Sequence, residues 1–113
     1  MKYWNEKRVR KEREHRERME RISVARAIER IRKSRMYAPG DTEKNGNLML
    51  EVLGSSLRRK LLMRLQKEGA MSLSKLGQPF GLKLPRLYGQ MLILEKSGLV
   101  KTHKRGRVRM CIF

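Results

Sequence analysis

Apolar residues are spread unevenly along this chain. From Lys7 to Arg18 almost nothing is apolar, so a helix there has no face to bury and should be solvated or lie on a partner. From Met19 onward an apolar stripe emerges: Met19, Ile22, Ala25, Ile28 and Ile31, with Val24 and Ala27 beside it. That spacing predicts a helical face able to dock on the rest of the chain or on a second copy. Strong helix formers dominate this region and no Gly or Pro interrupts it. Opposite charges also recur four apart, as in Glu6/Arg10, Glu12/Arg16, Glu14/Arg18 and Arg13/Glu17. Each such pair supports a helix by only ~0.2–0.5 kcal/mol, but several act together. Residues 1–36 are therefore read as a basic amphipathic helical arm.

Residues 37–46 read as a linker, because Pro39-Gly40 and Asn45-Gly46 are turn dipeptides. Residues 47–113 are apolar, periodic and punctuated. Leu48 to Leu53 predicts a short helix ending at Gly54, after which Ser55 and Ser56 can cap a new one. That next helix runs from Leu57 towards Gly69 and buries Leu57, Leu61, Leu62 and Leu65. Ser72 to Leu76 is a brief helix capped by Ser72, and Gly77 to Gly81 makes a turn. A longer helix starts near Leu84-Pro85, where proline's fixed φ suits a first turn, and Gly98 closes it. Its core stripe is Leu84, Leu87, Met91 and Leu94. Leu99 to His103 predicts a strand, Lys104-Arg105-Gly106 a turn, and Arg107 to Ile112 a second strand. In that second strand Val108, Met110 and Ile112 alternate with Arg107, Arg109 and Cys111.

The resulting order is helix, helix, short helix, turn, long helix and basic hairpin. The fold expected is mainly α, a winged helix-turn-helix domain with a small β-hairpin wing, preceded by a long basic N-terminal helix. The wording of this half resembles the ArsR family of transcriptional regulators. The resemblance lies in Leu53-Gly54-Ser55-Ser56-Leu57-Arg58-Arg59, Met71-Ser72-Leu73-Ser74-Lys75-Leu76, Leu84-Pro85, Leu94-Glu95-Lys96-Ser97-Gly98-Leu99-Val100 and Arg105-Gly106-Arg107-Val108-Arg109. It implies a DNA-binding regulator, not an enzyme, with the long helix in the major groove and the wing on the adjacent backbone or minor groove.

Departures from the family pattern refine that expectation. Metal-sensing members carry a Cys-x-Cys type motif on the helix before the turn, where this chain has Leu73, Lys75 and Leu76. Lys83 replaces the usual capping serine of the recognition helix, and Tyr88-Gly89-Gln90 replaces a Ser-Lys-His run. The C-terminal dimerisation helix that often follows the wing has no counterpart before Phe113. The family fold is expected, without a metal effector, and with either a homodimer formed through the N-terminal helix or a monomer that binds single half-sites.

Charge strengthens the nucleic-acid reading. The 113 residues carry 29 Lys+Arg against 11 Asp+Glu, a net charge of +18. Such an imbalance calls for a polyanion, nucleic acid first and an anionic membrane surface second. The hydrophobic share of 39%, with 5% aromatic residues, implies a compact and mainly aliphatic core. The single cysteine, Cys111, cannot form an internal disulfide, which suits a reducing compartment. No apolar run approaches the ~18 residues of a membrane span. The chain also lacks the apolar core of a signal peptide, so a cytoplasmic, nucleoid-associated location is expected.

The candidate DNA-binding residues are Arg58, Lys83, Arg86, Tyr88, Gln90, Lys104, Arg105, Arg107 and Arg109. On the long helix, Arg86, Gly89, Gln90, Ile93 and Lys96 are expected to point outward. There Arg can pair bidentately with guanine and Gln with adenine. Lys101, His103, Lys104, Arg105, Arg107 and Arg109 make the wing basic. Arg58 and Arg59 open a helix whose free amides could hold a phosphate, or else lay their stems on the core. Tyr3, Trp4 and Tyr37 are expected to pack on the C-terminal domain. No nucleophile-base-acid set or glycine-rich phosphate loop occurs, and His15, His103 and Cys111 are isolated, so neither catalysis, a cofactor nor a metal site is expected. Double-stranded DNA binding in transcription regulation is the leading reading. The alternatives are RNA or ribonucleoprotein binding through the basic N-terminal helix, and a winged-helix protein-interaction module.

Overall fold

A computed structural model describes the backbone of residues 2–113 and the side chains from residue 5 onward. The side chains of Tyr3 and Trp4 lie outside the described residues. The elements are α1 (Lys2–Arg32), α2 (Thr42–Leu53), α3 (Ser56–Glu68), β1 (Met71–Ser72), α4 (Leu73–Gly77), a 3-10 turn (Gln78–Phe80), α5 (Leu84–Lys96), β2 (Lys101–Arg105) and β3 (Val108–Ile112). This is a mainly helical winged helix-turn-helix fold with a small antiparallel sheet.

Helix α1 has two regimes. Residues 5–18 are all exposed, so roughly 20 Å of helix stands clear of the body, in keeping with its lack of an apolar face. The remainder docks on α3, on a face that shares Ile31 and Ala27 with the apolar stripe but is rotated away from Ile22 and Ala25. The buried positions are Ser23, Ala27 and Ile31, four residues apart, whereas Ile22 is 41% exposed and Ala25 is also exposed. Small side chains at 23 and 27 let the two helices approach closely. The approach is pinned by polar contacts: Gln66 Nε2 donates to the Ser23 carbonyl at 3.1 Å, and Arg59 Nε meets Glu20 Oε1 at 2.7 Å. Ala27 and Ile31 belong to the same core as Leu61, Leu62, Leu65, Leu87, Met91 and Leu94.

Helix α2 starts earlier than the turn dipeptide Asn45-Gly46 suggests. Asp41 caps it by accepting from the Lys44 amide at 3.0 Å. Asn45 is buried one turn in, and its carboxamide pairs with both backbone groups of Ala38, accepting at 2.8 Å and donating at 2.7 Å. The residue that looked like a turn former therefore ties the preceding turn to the helix.

Local capping builds the rest. Ser55 accepts from the Arg58 amide and Ser72 from the Lys75 amide, each satisfying a donor that a helix start leaves free. Leu61, Leu62 and Leu65 of α3, Leu73 and Leu76 of α4, and Leu87, Met91 and Leu94 of α5 then close the core. Gly77 sits where α4 meets α5, and a Cβ there would lie 2.7 Å from Leu87 Cδ2. Gly98 ends the α5 region at φ +81°, and a Cβ would meet Ser34 Cβ at 2.9 Å. Leu99 and Val100 are buried core residues that precede the strand β2.

The sheet has three strands in the order β1-β3-β2, all antiparallel. Pairing Met71 and Thr102 with Cys111 sets Cys111 on the core side, fully buried. Because neighbouring strand residues alternate in direction, Val108 and Ile112 are left 46% and 42% exposed. Burial pushes the Cys111 thiol up to about 11, helped by the nearby Glu95 carboxylate and opposed by Arg109.

Candidate nucleic-acid interface

Helices α4 and α5, with the 3-10 turn between them, form the helix-turn-helix. The buried row Leu87, Met91 and Leu94 fixes how α5 is rolled against the body. Lys83 occupies its N-cap position, where an ammonium has no acceptor to offer the free amides, and the residue is exposed. Arg86 and Lys96 are exposed as well. Leu84, counted in the core stripe from spacing, is instead 48% exposed, because the first turn of α5 runs beyond the edge of the core. Ile93, expected to point outward, is half-buried against the core.

Gln90 is also half-buried, and it is not free. Its Oε1 accepts from an Arg58 guanidinium nitrogen at 2.9 Å. Arg58 Nε donates to the Val52 carbonyl at 3.1 Å, and its remaining terminal nitrogen donates to the Glu51 carbonyl. One guanidinium thus closes the last turn of α2 and fastens it to α5. Two residues read from the sequence as separate DNA contacts are partners of one another. Arg59, the other basic residue at the start of α3, pairs with Glu20 and donates to the Leu53 carbonyl at 2.6 Å.

The wing is tied to the opposite flank of α5. Thr102 Oγ1 donates to Glu95 Oε1 and accepts from an Arg109 guanidinium nitrogen at 3.1 Å. That guanidinium lies 5.7 Å from the centroid of the Tyr88 ring. The relay runs from α5 through Thr102 to Arg109 and back to Tyr88. Lys104, Arg105 and Arg107 at the tip are exposed, and the tip turn uses Gly106 at φ +64°. The structure brings Tyr88 and Arg109 together, and separately Arg58 and Gln90.

No family model and no curated protein sequence matches the chain. Solved structures do. One, the crystal structure of an ArsR family transcriptional regulator, RHA00566, is 39% identical and superposes with a TM-score of 0.55, the match covering 59% of this chain and 72% of that one. The chain belongs to the ArsR family of transcriptional regulators. A second match, the transcriptional repressor BigR from Xylella fastidiosa, is 28% identical with a TM-score of 0.52, covering 68% of this chain and 81% of that one.

Within the ArsR family this chain departs from the metal-sensing pattern. Its α4 carries Leu73, Ser74, Lys75 and Leu76, with Leu73 and Leu76 buried in the core and Lys75 exposed. Among the described residues no three His, Cys, Asp or Glu side chains gather in a way that could hold a metal ion. Among the same residues no helix is long and apolar enough to cross a membrane.

Two features escaped the sequence reading. The clasp from Arg58 to Gln90 joins positions 32 apart, and no local pattern signals such a pair. The apolar exposure of α5 at Leu84 and Leu92 could have been found by taking Leu87, Met91 and Leu94 alone as the buried row and rotating about the helix by 100° per residue.

Proposed function

We propose that this ArsR-family protein binds double-stranded DNA as a sequence-selective transcription regulator, with α5 in the major groove and the wing on the adjacent backbone or minor groove. The observation that carries this reading is the relay Glu95–Thr102–Arg109–Tyr88, which makes α5 and the wing one unit. Lys83 and Arg86 on α5, with Lys104, Arg105 and Arg107 at the wing tip, supply exposed cations on the two parts of that unit. Such a regulator works in the cytoplasm on the nucleoid, and its α4 supports no metal effector.

The test is selection of bound sequences from a random duplex pool, followed by affinity measurements across salt. Each phosphate contact releases condensed counterion and steepens the log–log slope by about 0.9. Arg86→Ala is expected to cost about 1–3 kcal/mol on the selected duplex and far less on random DNA. A flat salt dependence with no enriched sequence overturns the reading.

Palindromic recognition holds two such units about one helical turn apart. The exposed Ile22 and Ala25 of α1, beside half-buried Met19, offer a surface for a second copy. We assign the homodimer to this face. Because Ala27 and Ile31 are core residues, deleting α1 would damage the fold. Ile22→Asp is the cleaner probe: light scattering should read a dimer for the native chain and a monomer for the variant. The same mass for both refutes the assignment.

A further inference from the structure

The solvent face of α5 is unexpectedly apolar for a helix flanked by so many cations. Leu84, Tyr88 and Leu92 are 48%, 42% and 53% exposed. Spaced four apart, they form one stripe along the helix. Pro85 and Gly89 border it, both exposed, and nothing lies within 4 Å of where a Cβ on Gly89 would sit. The polar reader expected from the sequence, Gln90, has its Oε1 held by Arg58. That leaves Arg86, on the first turn of α5, and the Tyr88 hydroxyl as the exposed hydrogen-bonding groups ahead of the last turn.

An exposed apolar stripe implies an occupant. Here its surroundings select one. Lys83 stands at the N-cap, Arg86 on the first turn, Lys96 on the last, and the Arg109 guanidinium lies 5.7 Å from the Tyr88 ring. Cations on every side with apolar groups between them match a DNA major groove, whose phosphate rims enclose the base edges. The one apolar group those edges present is the C5-methyl of thymine.

We infer that Leu84, Tyr88 and Leu92 read thymine methyl groups, so that the preferred duplex carries thymines along the groove wall facing this stripe. From position 84 to 92 the helix rises about 12 Å. That length matches three to four base steps at ~3.4 Å each, which sets the width of the thymine-rich window. The inference rests on the proposal that α5 enters the major groove and adds what it reads there.

The test resynthesises the duplex recovered by selection with deoxyuridine replacing thymidine, one position at a time. Uracil lacks only the methyl, and every hydrogen-bonding group is kept. Binding by the native chain should weaken about fourfold at each contacted position, the transfer of one methyl group out of water. Leu92→Ala should lose the discrimination between thymine and uracil at one position and keep it at the others. Circular dichroism and the unfolding midpoint verify that the variant is folded, as a half-exposed side chain allows. Indifference of the native chain to uracil at every position overturns the inference while the selected site upholds DNA binding. So does an equal weakening of Leu92→Ala on both duplexes. A pool that yields no enriched sequence, with binding insensitive to salt, removes the DNA reading and this inference together and leaves a protein partner as the occupant of the stripe.

Discussion

Arg58 lies at the start of α3, where a phosphate could sit on free helix amides, yet its guanidinium is already engaged. It donates to the carbonyls of Val52 and Glu51 at the end of α2 and to Gln90 of α5. Helix C-terminal carbonyls carry partial negative charge, so a cation there is doubly suited. Hydrogen bonds to charged groups contribute about 1.5–3 kcal/mol each when fully buried. This clasp is half-buried, and water can reach the freed carbonyls, so Arg58→Ala should cost about 2–3 kcal/mol in all. Gln90→Ala removes one of the three bonds and should cost about 1 kcal/mol. The double variant should fall short of additivity by roughly 0.5–1.5 kcal/mol, because both lose the same bond. Arg58→Lys should not rescue, since an ammonium cannot reproduce the fork. Urea unfolding reads these values as shifts in midpoint at constant slope. The salt slope of DNA binding should stay unchanged in folded Arg58→Ala, whereas loss of a phosphate contact would lower it by about 1. An unfolding free energy within about 0.5 kcal/mol of the native chain, combined with that lowered slope, would refute the clasp and restore Arg58 as a phosphate contact.

Ile31→Ala should cost about 2–5 kcal/mol, because the side chain is fully buried between α1 and the domain. Ile22→Ala, at a half-exposed position, should change the stability of the monomer by under about 0.5 kcal/mol, and equal costs at the two sites would contradict the docking face of α1. For Cys111 the folded pKa of about 11 lies above the ordinary 9.0. The thiol therefore contributes stability that is full below pH 9 and lost as pH rises towards 11. Over that window the native chain should lose up to about 3 kcal/mol more than Cys111→Ala, and parallel pH profiles for the two would count against it. Zinc titrated to several equivalents should shift neither the unfolding midpoint nor the affinity for DNA, and stoichiometric binding that releases DNA would reopen metal sensing.

What the sequence by itself determined is what short-range chemistry controls. Serine caps at Ser55 and Ser72 start helices because their oxygens satisfy nearby amides. Gly98 and Gly106 mark turns because each adopts positive φ. The buried rows of α3 and α5 are legible from periodicity once a helix is known to cover a core. The exposure of Lys83, Arg86, Lys104, Arg105 and Arg107 follows from charge and from position at helix starts and hairpin tips. Tertiary structure decided the rest. Periodicity names a face of a helix, but where the neighbouring element ends decides which residues of that face are covered. Thus Leu84 projects past the core, and α1 buries Ser23 and Ala27 while Ile22 stays half-exposed. The two-residue strand β1 exists only because β3 arrives beside it, and Asn45 became helical because Ala38 lay within reach of its carboxamide. Long polar side chains are the least legible of all. Arg58 and Gln90 look like two separate DNA contacts, one to phosphate and one to a base, until folding brings them to 2.9 Å, where a half-buried donor gains a fixed partner.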